Sequence, residues 1–343
     1  MLIERKKMLH LPKKDLSKFI AQIGATPIQP IQIVIDGIAR KVCLKLEYAN
    51  PTGSMKDRTG YALIQYLEDQ GVLNEQSVII ESTSGNLGAA LSFQCKARGY
   101  GFIAIIDPKT TRENIAKMEA FGAQIELVHD SDAMGGYLLS RLERVRELCS
   151  CHSNYIWTDQ YSSPANPYIH YSSTAPEIYR QMNERVDVVF VPVSTGGTLA
   201  GIGRFFREVS PSTRIVGVDV LGSVIFWMPP APRKLTGIGS SRHSNFITRN
   251  LYDEHIIVTD EEAFAFCHEL YRATDIKVGG SSGAVLAACA KYLFKHTSIK
   301  NTVCICADDG ENYESSIYSD EWIQRQNLHF SKKHLGAMEK FII

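Results

Sequence analysis

The sequence predicts an α/β fold built from open, mainly parallel sheets with helices on both faces. Short apolar runs alternate along the chain with longer segments of helical periodicity, and polar or glycine-rich turns separate them. This alternation is typical of βαβ units. The predicted strands are 42–47, 78–80, 102–106, 124–128, 188–193, 215–219 and 303–307, and the predicted helices are 57–70, 87–98, 112–121, 135–148, 174–182, 199–208, 261–272 and 283–295.

The first informative turn is 50–58, which reads Asn-Pro-Thr-Gly-Ser-Met-Lys-Asp-Arg and places Lys56 before a predicted helix. Asn, Pro and Gly favour a turn, so Lys56 is expected at the helix N-terminus. The positive field there, together with partial burial, favours the neutral amine. A neutral lysine can form a Schiff base with a carbonyl compound. Taken alone, the same window also fits a solvated lysine in a first helical turn.

The second turn is 81–88, which reads Glu-Ser-Thr-Ser-Gly-Asn-Leu-Gly and joins the apolar strand 78–80 to a helix. Hydroxyls and unpaired backbone N–H groups cluster at such a helix N-terminus, which suits a carboxylate or another anion. The side chain of Asn86 offers both a donor and an acceptor. An ordinary capped turn between strand and helix is the alternative.

Two further turns also precede predicted helices. Residues 194–198, Ser-Thr-Gly-Gly-Thr, let the backbone approach a ligand closely and resemble a phosphate site. They match neither a P-loop nor a dinucleotide fingerprint, so the phosphate is expected to belong to a compact cofactor. Residues 278–284, Val-Gly-Gly-Ser-Ser-Gly-Ala, place Ser281 where its hydroxyl can pair with a ring nitrogen or simply cap the helix.

In order, spacing and context these four turns resemble those of the fold-type II enzymes that use pyridoxal 5′-phosphate (PLP), most of all the cysteine synthase and cystathionine β-synthase group. The resemblance extends from about residue 24 to residue 310. It implies a tryptophan synthase β-like fold with two open twisted-sheet domains. A small substrate domain, 51–159, would be inserted into a large PLP-binding domain made of 1–50 and 160–343. The resemblance also implies a homodimer.

The resemblance further implies roles for individual residues. Lys56 would form the Schiff base with PLP and move the substrate proton, Asn86 would contact the ring hydroxyl, and Ser281 would face the pyridine nitrogen. A neutral serine there would leave the ring unprotonated, which suits β-elimination. The cofactor phosphate would be bound by Ser194, Thr195, Gly196, Gly197 and Thr198. The substrate would be bound by Ser82, Thr83, Ser84 and Gln160.

Four segments narrow the resemblance to the siderophore-pathway synthases that supply 2,3-diaminopropionate: 107–109, 132–138, 222–226 and 237–242. Leu87 agrees with this subfamily, because cysteine synthases usually have Thr after the Asn of the substrate loop. The subfamily implies β-replacement through an aminoacrylate intermediate, in which O-phospho-L-serine and L-glutamate are joined and phosphate is released. An NAD-dependent dehydrogenase would be the pathway partner.

Release of a dianionic phosphate requires cationic donors near the site. Arg242, in the segment 237–242, is the first candidate, and it would bind either the leaving phosphate or the carboxylates of glutamate. Arg233 and Lys234 are further candidates, for which a solvated pair of surface charges is the alternative.

Composition predicts a cytoplasmic enzyme. The chain has 343 residues, of which 44% are hydrophobic, enough for two cores. Its formal net charge of +0 gives no electrostatic reason to bind nucleic acid or an anionic membrane. No apolar run reaches transmembrane length, and the basic segment 1–14 lacks the apolar core of a secretory signal.

The eight cysteines are expected to be free thiols. Cys149, Cys151 and His152 form the one candidate metal-binding cluster in the sequence, but they lack a second ligand pair at zinc spacing, so no metal is expected.

Three alternatives remain at this stage. A cysteine synthase or O-phosphoserine sulfhydrylase would use sulfide on the same scaffold. A serine or threonine dehydratase would let the intermediate hydrolyse. A non-catalytic regulatory relative is disfavoured because Lys56 and the cofactor turns are intact.

Overall fold

The computed structural model describes residues 8, 11, 13–83, 85–131 and 136–342. These residues fold into two compact units. The first unit contains the described residues up to Ala25 together with Ala49–Asn166. The second unit contains Thr26–Tyr48 and the described residues from Pro167 onward.

Strands and helices alternate through most of the chain, as the sequence predicts. The strands are β1 Ile28–Ile35, β2 Ile38–Leu46, β3 Val78–Ser82, β4 Gly101–Ile106, β5 Gln124–Leu127, β6 Tyr155–Trp157, β7 Val188–Pro192, β8 Arg214–Val220, β9 Glu254–Val258, β10 Thr302–Cys306 and β11 Met338–Ile342. The α-helices are α1 Lys13–Ile20, α2 Lys56–Asp69, α3 Asn86–Arg98, α4 Arg112–Ala120, α5 Leu138–Cys151, α6 Ala165–Ile169, α7 Ala175–Gln181, α8 Gly197–Val209, α9 Asp260–Thr274, α10 Gly280–Lys295 and α11 Asp320–Arg325.

The first unit is built on a four-stranded parallel sheet of order β5-β4-β3-β6. Strands β3 and β4 are almost wholly buried, as expected for parallel strands covered on both faces. Ile80 and Ile105 pack with Val145 of α5 in one apolar cluster. This packing fixes the ends of β3 and β4, from which the loops of the candidate site emerge.

The N-terminal residues group with the first unit. Met8 and Leu16 are buried in an apolar cluster with Phe93 of α3. The sequence predicts the whole of 1–50 in the large domain, and of this range Thr26–Tyr48 belongs to the second unit. Residues up to Ala25 group with the first unit because these apolar side chains cover α3, a long-range contact that a local pattern does not reveal.

The second unit contains a seven-stranded sheet of order β11-β1-β2-β10-β7-β8-β9. Strand β1 pairs antiparallel with β2 and β11, and the remaining pairs are parallel. Strands β7 and β10 are buried along their whole length. The central strands therefore hold the two turns that open helices α8 and α10.

Four strands, β1, β6, β9 and β11, are not predicted from the sequence pattern. Three of them, β6, β9 and β11, lie at sheet edges, where partial exposure weakens the apolar pattern. The C-terminal tail, for which the sequence suggested no role, supplies β11 and pairs with β1. No helix in the described ranges is both long and apolar enough to cross a membrane.

Candidate active site

Lys56 begins helix α2, directly after a compact turn. Asn50 is fully buried in this turn, and its Oδ1 accepts a 2.9 Å hydrogen bond from Gly24 N. Gly53 N donates to Asn50 O at 3.0 Å, and Gly53 has a φ of +94°, which glycine adopts without strain. Lys56 N donates to Ser54 Oγ at 3.2 Å. The turn therefore fixes the half-buried Lys56 at the helix N-terminus.

The loop after β3 carries the predicted substrate contacts. Gly88 N donates to Thr83 Oγ1 at 2.8 Å, which closes the loop onto the first turn of α3. Asn86 is the first residue of α3 and is half-buried. Ser82 Oγ is buried and has no hydrogen-bond partner among the described residues, so it is a polar group that a ligand can satisfy. Ser84 lies outside the described residues.

Gln160 lies against the same loop. Its side-chain Nε2 donates to Ser82 O at 3.0 Å, and its backbone carbonyl oxygen accepts from Asn166 Nδ2 at 2.7 Å. Residues 82 and 160 are 78 positions apart in the chain, yet the fold places them in contact. Two of the predicted substrate contacts therefore belong to one local structure in the first unit.

Helix α4 contributes two side chains beside this loop that the sequence analysis missed. A Cβ at Gly85 would lie 3.6 Å from Asn114 Nδ2, and one at Gly88 would lie 2.3 Å from Met118 Sδ. Asn114 is buried, and its Oδ1 has no hydrogen-bond partner among the described residues. One face of α4 therefore packs directly on the glycines of the substrate loop.

Lys117 is a further cation that the sequence analysis missed. Its Nζ donates to Thr52 O at 3.3 Å, within the turn that precedes Lys56. The N-cap of its helix is Thr111, which accepts from Asn114 N. Thr111 as an N-cap could have predicted the start of α4 from the sequence. Which face of α4 contacts the turn before Lys56 is visible only in the folded structure. A second cation beside this turn favours anionic ligands.

In the second unit, residues 194–198 join β7 to α8, in the predicted context. Gly196 is the N-cap of α8 and has a φ of +90°. It has no side chain to cap the first N–H groups of the helix, so these groups suit an anion. Thr195 and Thr198 are buried beside it. A Cβ at Gly196 would lie 2.2 Å from Ser244 Oγ, so no larger residue fits without movement.

His170 supports this loop from a π-helical turn, and the sequence analysis missed it. The side chain is fully buried, with Nε2 3.2 Å from Thr198 Oγ1 and Nδ1 2.9 Å from Thr174 Oγ1. The imidazole therefore orients the Thr198 hydroxyl. Single π-helical turns of this kind occur frequently at functional sites.

The long connection between β8 and β9 packs on the same loop. Ser194 Oγ donates to Gly239 O at 3.2 Å, and Ser244 Oγ donates to Thr195 O at 2.5 Å. Gly239 belongs to the segment 237–242, one of those that distinguish the subfamily. The structure thus brings this segment into contact with the predicted phosphate loop.

Arg233 stabilises the connection between β8 and β9. Its Nη1 donates to Gly222 O at 3.1 Å. Burial raises the pKa of Asp219 to about 6, and the charge of Arg233 opposes this rise. The Arg233 side chain therefore makes contacts within the fold and is not simply a solvated surface charge.

Arg242 and Lys234 differ in their surroundings. Arg242 is half-buried, and its backbone N donates to Ser240 Oγ at 3.1 Å. Lys234 is exposed, and its backbone N donates to Asp260 Oδ2 at 2.6 Å. Of the two cations, Arg242 is the less exposed, and it belongs to the segment 237–242, whose Gly239 O accepts from Ser194 Oγ.

Ser281 lies in the first turn of α10 and is 2% exposed. Its Oγ lies 3.5 Å from Asp308 Oδ1, and the hydroxyl of Tyr313 donates to the other carboxylate oxygen. A buried carboxylate therefore lies beside the predicted partner of the ring nitrogen, which local sequence did not indicate.

The chemistry of these residues fits PLP, which carries an aldehyde, a phosphate and a ring nitrogen. Lys56 supplies an amine for the aldehyde, and the N-terminus of α8 supplies N–H groups for the phosphate. Ser281 supplies a hydroxyl for the ring nitrogen. Among the described residues no group of three or more His, Cys, Asp or Glu side chains could hold a metal ion.

Comparison with known proteins agrees with this chemistry. Residues 20–308 match the family described as "Pyridoxal-phosphate dependent enzyme". Two relatives are each named N-(2-amino-2-carboxyethyl)-L-glutamate synthase. The relative from Ralstonia nicotianae is 39% identical over 88% of this chain and 90% of its own length. The relative from Cupriavidus metallidurans is 38% identical over 94% of this chain and 95% of its own length.

A solved structure extends the comparison to the fold. A hydrogen sulfide-producing enzyme from Fusobacterium nucleatum has a TM-score of 0.81 at 29% identity, covering 86% of this chain and 98% of that chain. The match spans both units, so the fold-type II architecture is confirmed. On the family match, the near-full-length relatives and the shared fold, the chain belongs to the pyridoxal-phosphate dependent enzymes.

Proposed function

We propose that this enzyme joins O-phospho-L-serine to L-glutamate, forming N-(2-amino-2-carboxyethyl)-L-glutamate and phosphate. The product would supply 2,3-diaminopropionate for a siderophore, through an NAD-dependent dehydrogenase. The observation that carries the proposal is the near-full-length similarity to two synthases of that name. Leu87 supports it, because this residue is 3% exposed and offers no hydroxyl to a substrate.

The proposed roles follow from the local contacts. Ser82, Thr83 and Gln160 lie together at the end of β3 and would hold the α-carboxylate of phosphoserine. Bound PLP supplies an electron sink that makes the Cα proton acidic. Lys56 would take this proton and later return it to Cα. The Cβ–O bond breaks with its electrons going to phosphate, and the amine of glutamate forms the new Cβ–N bond.

Residues of the second unit would hold the cofactor and the anions. The cofactor phosphate is assigned to Ser194–Thr198, where the N-terminus of α8 and the buried threonines suit a dianion. Ser281 is assigned to the ring nitrogen, and Asn86, in the first unit, to the ring hydroxyl. We further propose that the enzyme is a homodimer, which a mass measurement in solution tests.

Arg242→Ala is expected to weaken the use of phosphoserine or glutamate by about 10- to 100-fold in kcat/KM, because a charge-assisted hydrogen bond is lost. PLP retention should stay unchanged, since the substitution leaves the loop 194–198 intact. Lys234→Ala, which removes an exposed cation of the same connection, is the matched control. Unchanged steady-state constants for both substrates would exclude this role for Arg242.

The reaction itself is tested by mass spectrometry of the products. The PLP-loaded enzyme is incubated with O-phosphoserine and glutamate, and in parallel with O-phosphoserine and sulfide. A glutamate conjugate with equimolar phosphate is the expected result. Cysteine without the conjugate would replace the proposal with a sulfhydrylase, and pyruvate alone would indicate a dehydratase.

The sulfhydrylase is the second candidate, and a specific observation favours it. One similar solved structure is that of a hydrogen sulfide-producing enzyme. Sulfide is small and needs no carboxylate site, so Arg242→Ala would leave cysteine formation unaffected if Arg242 binds glutamate, whereas it would impair both reactions if Arg242 binds the leaving phosphate. The parallel incubations with glutamate and with sulfide therefore separate the two candidates.

A further inference from the structure

Glu81 is a fully buried carboxylate directly before the substrate loop. Its Oε1 accepts from Ser82 N at 2.8 Å and from Trp157 Nε1 at 3.2 Å. Its Oε2 accepts from Gln160 N at 3.1 Å and from the hydroxyl of Thr158. An ionised carboxylate has about four acceptor positions, and here each of them has a donor.

These donors belong to two separate segments of the first unit. Ser82 opens the substrate loop, whereas Trp157 ends the neighbouring edge strand β6 and Thr158 and Gln160 follow it. Gln160 Nε2 adds a direct bond to Ser82 O at 3.0 Å. Glu81 thus fastens one proposed substrate-binding segment to the other, although its own side chain is shielded from solvent.

This arrangement requires the ionised form of Glu81. Protonation turns one oxygen into a donor, so at least one of the N–H or O–H groups loses its acceptor. Burial, followed by a smaller effect of the nearby charge of Asp159, raises the pKa of Glu81 to about 7, against the lowering effect of the hydrogen bonds from Thr158, Gln160 and Trp157.

The other titratable groups near Glu81 do not replace its charge. Helix α5 contributes the thiol of Cys149. Burial and the charge of Glu81 both raise the pKa of this thiol, so it stays neutral at pH 7. The same helix contributes Arg146, which lies over the Trp157 ring at 5.8 Å. On the neighbouring strand β4, the residue in register is Ala104. Glu81 is therefore the group expected to titrate here near neutrality.

We propose that Glu81 is a positioning residue whose carboxylate holds Ser82 and Gln160 in the geometry that receives the α-carboxylate of the amino-acid substrate, and whose protonation loosens that geometry. Substrate affinity would then depend on pH near neutrality. The inference rests on the proposed function only in taking these residues as the carboxylate site. It requires neither phosphoserine nor glutamate as a substrate.

The first experiment measures binding of L-serine to the holoenzyme between pH 6 and 8, through the absorbance of the cofactor. L-Serine is used because the phosphate of phosphoserine itself titrates near pH 6. In the wild type, Kd should rise by about threefold to tenfold as the pH falls from 8 to 6, because a group of pKa near 7 becomes protonated. In Glu81→Gln, Kd should be raised already at pH 8 and lack this step.

Two further variants act as controls. Glu81→Asp keeps the charge and should retain the pH step, although its shorter side chain weakens binding. Glu119→Gln removes an exposed carboxylate of the same unit and should match the wild type. An equal pH step in Glu81→Gln and the wild type, or no step in the wild type, would overturn the proposal.

A second readout does not depend on any substrate. Amide hydrogen exchange in segments 82–88 and 158–163, corrected for intrinsic rates, should be faster at pH 6 than at pH 8 in the wild type and equal at both in Glu81→Gln. If the mass-spectrometric product is not the glutamate conjugate but this pH step is present, the proposed reaction fails and the role of Glu81 stands. If the glutamate conjugate forms but the pH step in exchange is absent, the proposed role of Glu81 is rejected and the proposed reaction stands.

Folding stability provides the thermodynamic check. Because the folded pKa lies above the ordinary value, the folded state binds more protons than the unfolded state between about pH 4.5 and 7. The contribution of Glu81 to the free energy of unfolding therefore falls as pH rises through this window. Glu81→Gln should remove that contribution, which Tm measurements at pH 5 and pH 7.5 detect; an unaltered pH dependence of Tm would contradict a titrating Glu81.

Discussion

Lys56→Ala is expected to lower turnover by at least about 10⁴-fold, because in the proposed mechanism one amine would both bind the cofactor covalently and move the Cα proton. The fold should survive. Lys56 lies in the first turn of α2 and is only half-buried, and alanine is a good helix residue. The turn before it is held by Asn50 and Gly53, which the substitution leaves in place.

The measurement combines kinetics with covalent trapping. Sodium borohydride makes a lysine–cofactor bond permanent, so mass spectrometry of digested wild-type enzyme should find the cofactor on the peptide that contains Lys56. The Lys56→Ala enzyme should carry none. Lys109→Ala, which removes an exposed lysine of the same unit, is the control. Near-normal turnover, or the label on another lysine, would refute the assignment.

Gly196→Ala is expected to reduce PLP affinity by about 10- to 100-fold, because a strained residue costs about 1–3 kcal/mol and the new Cβ clashes as well. Gly196 has a φ of +90°. Its Cβ would lie 2.2 Å from Ser244 Oγ and 2.7 Å from Ile247 Cγ1. Relief of this clash must displace either the N-terminus of α8 or the connection that packs on it.

Gly37→Ala is the matched control for this prediction. Gly37 also has a positive φ, +72°, but a Cβ there meets nothing within 4 Å. This variant should therefore lose about 1 kcal/mol of stability through backbone strain alone and keep its PLP affinity. Fluorescence titration of the apoenzymes with PLP measures the PLP affinity of both variants. Equal PLP affinity in Gly196→Ala and the wild type would show that this loop does not hold the phosphate.

The PLP cofactor could be predicted because the turns proposed to bind it are local in sequence. Lys56, Asn86 and the loop 194–198 each lie at the junction of a turn and a helix, where a few consecutive residues determine both the backbone shape and the exposed N–H groups. These junctions appear in the structure at the predicted places. The substrate contacts were harder to predict, since hydroxyl groups at a helix start serve equally well as caps.

The α/β class and the positions of the helix N-termini follow from short-range patterns of apolar residues and turn residues, and the PLP family follows from the resemblance of four turns to those of known enzymes. Three features required the folded structure: β11 completes a sheet edge, α4 places Asn114 beside the proposed substrate loop, and Glu81 joins Ser82 to Gln160. These features depend on contacts between residues far apart in the chain, for example 78 positions for Ser82 and Gln160. Such contacts form only when strand order and helix faces are fixed by packing of the whole core.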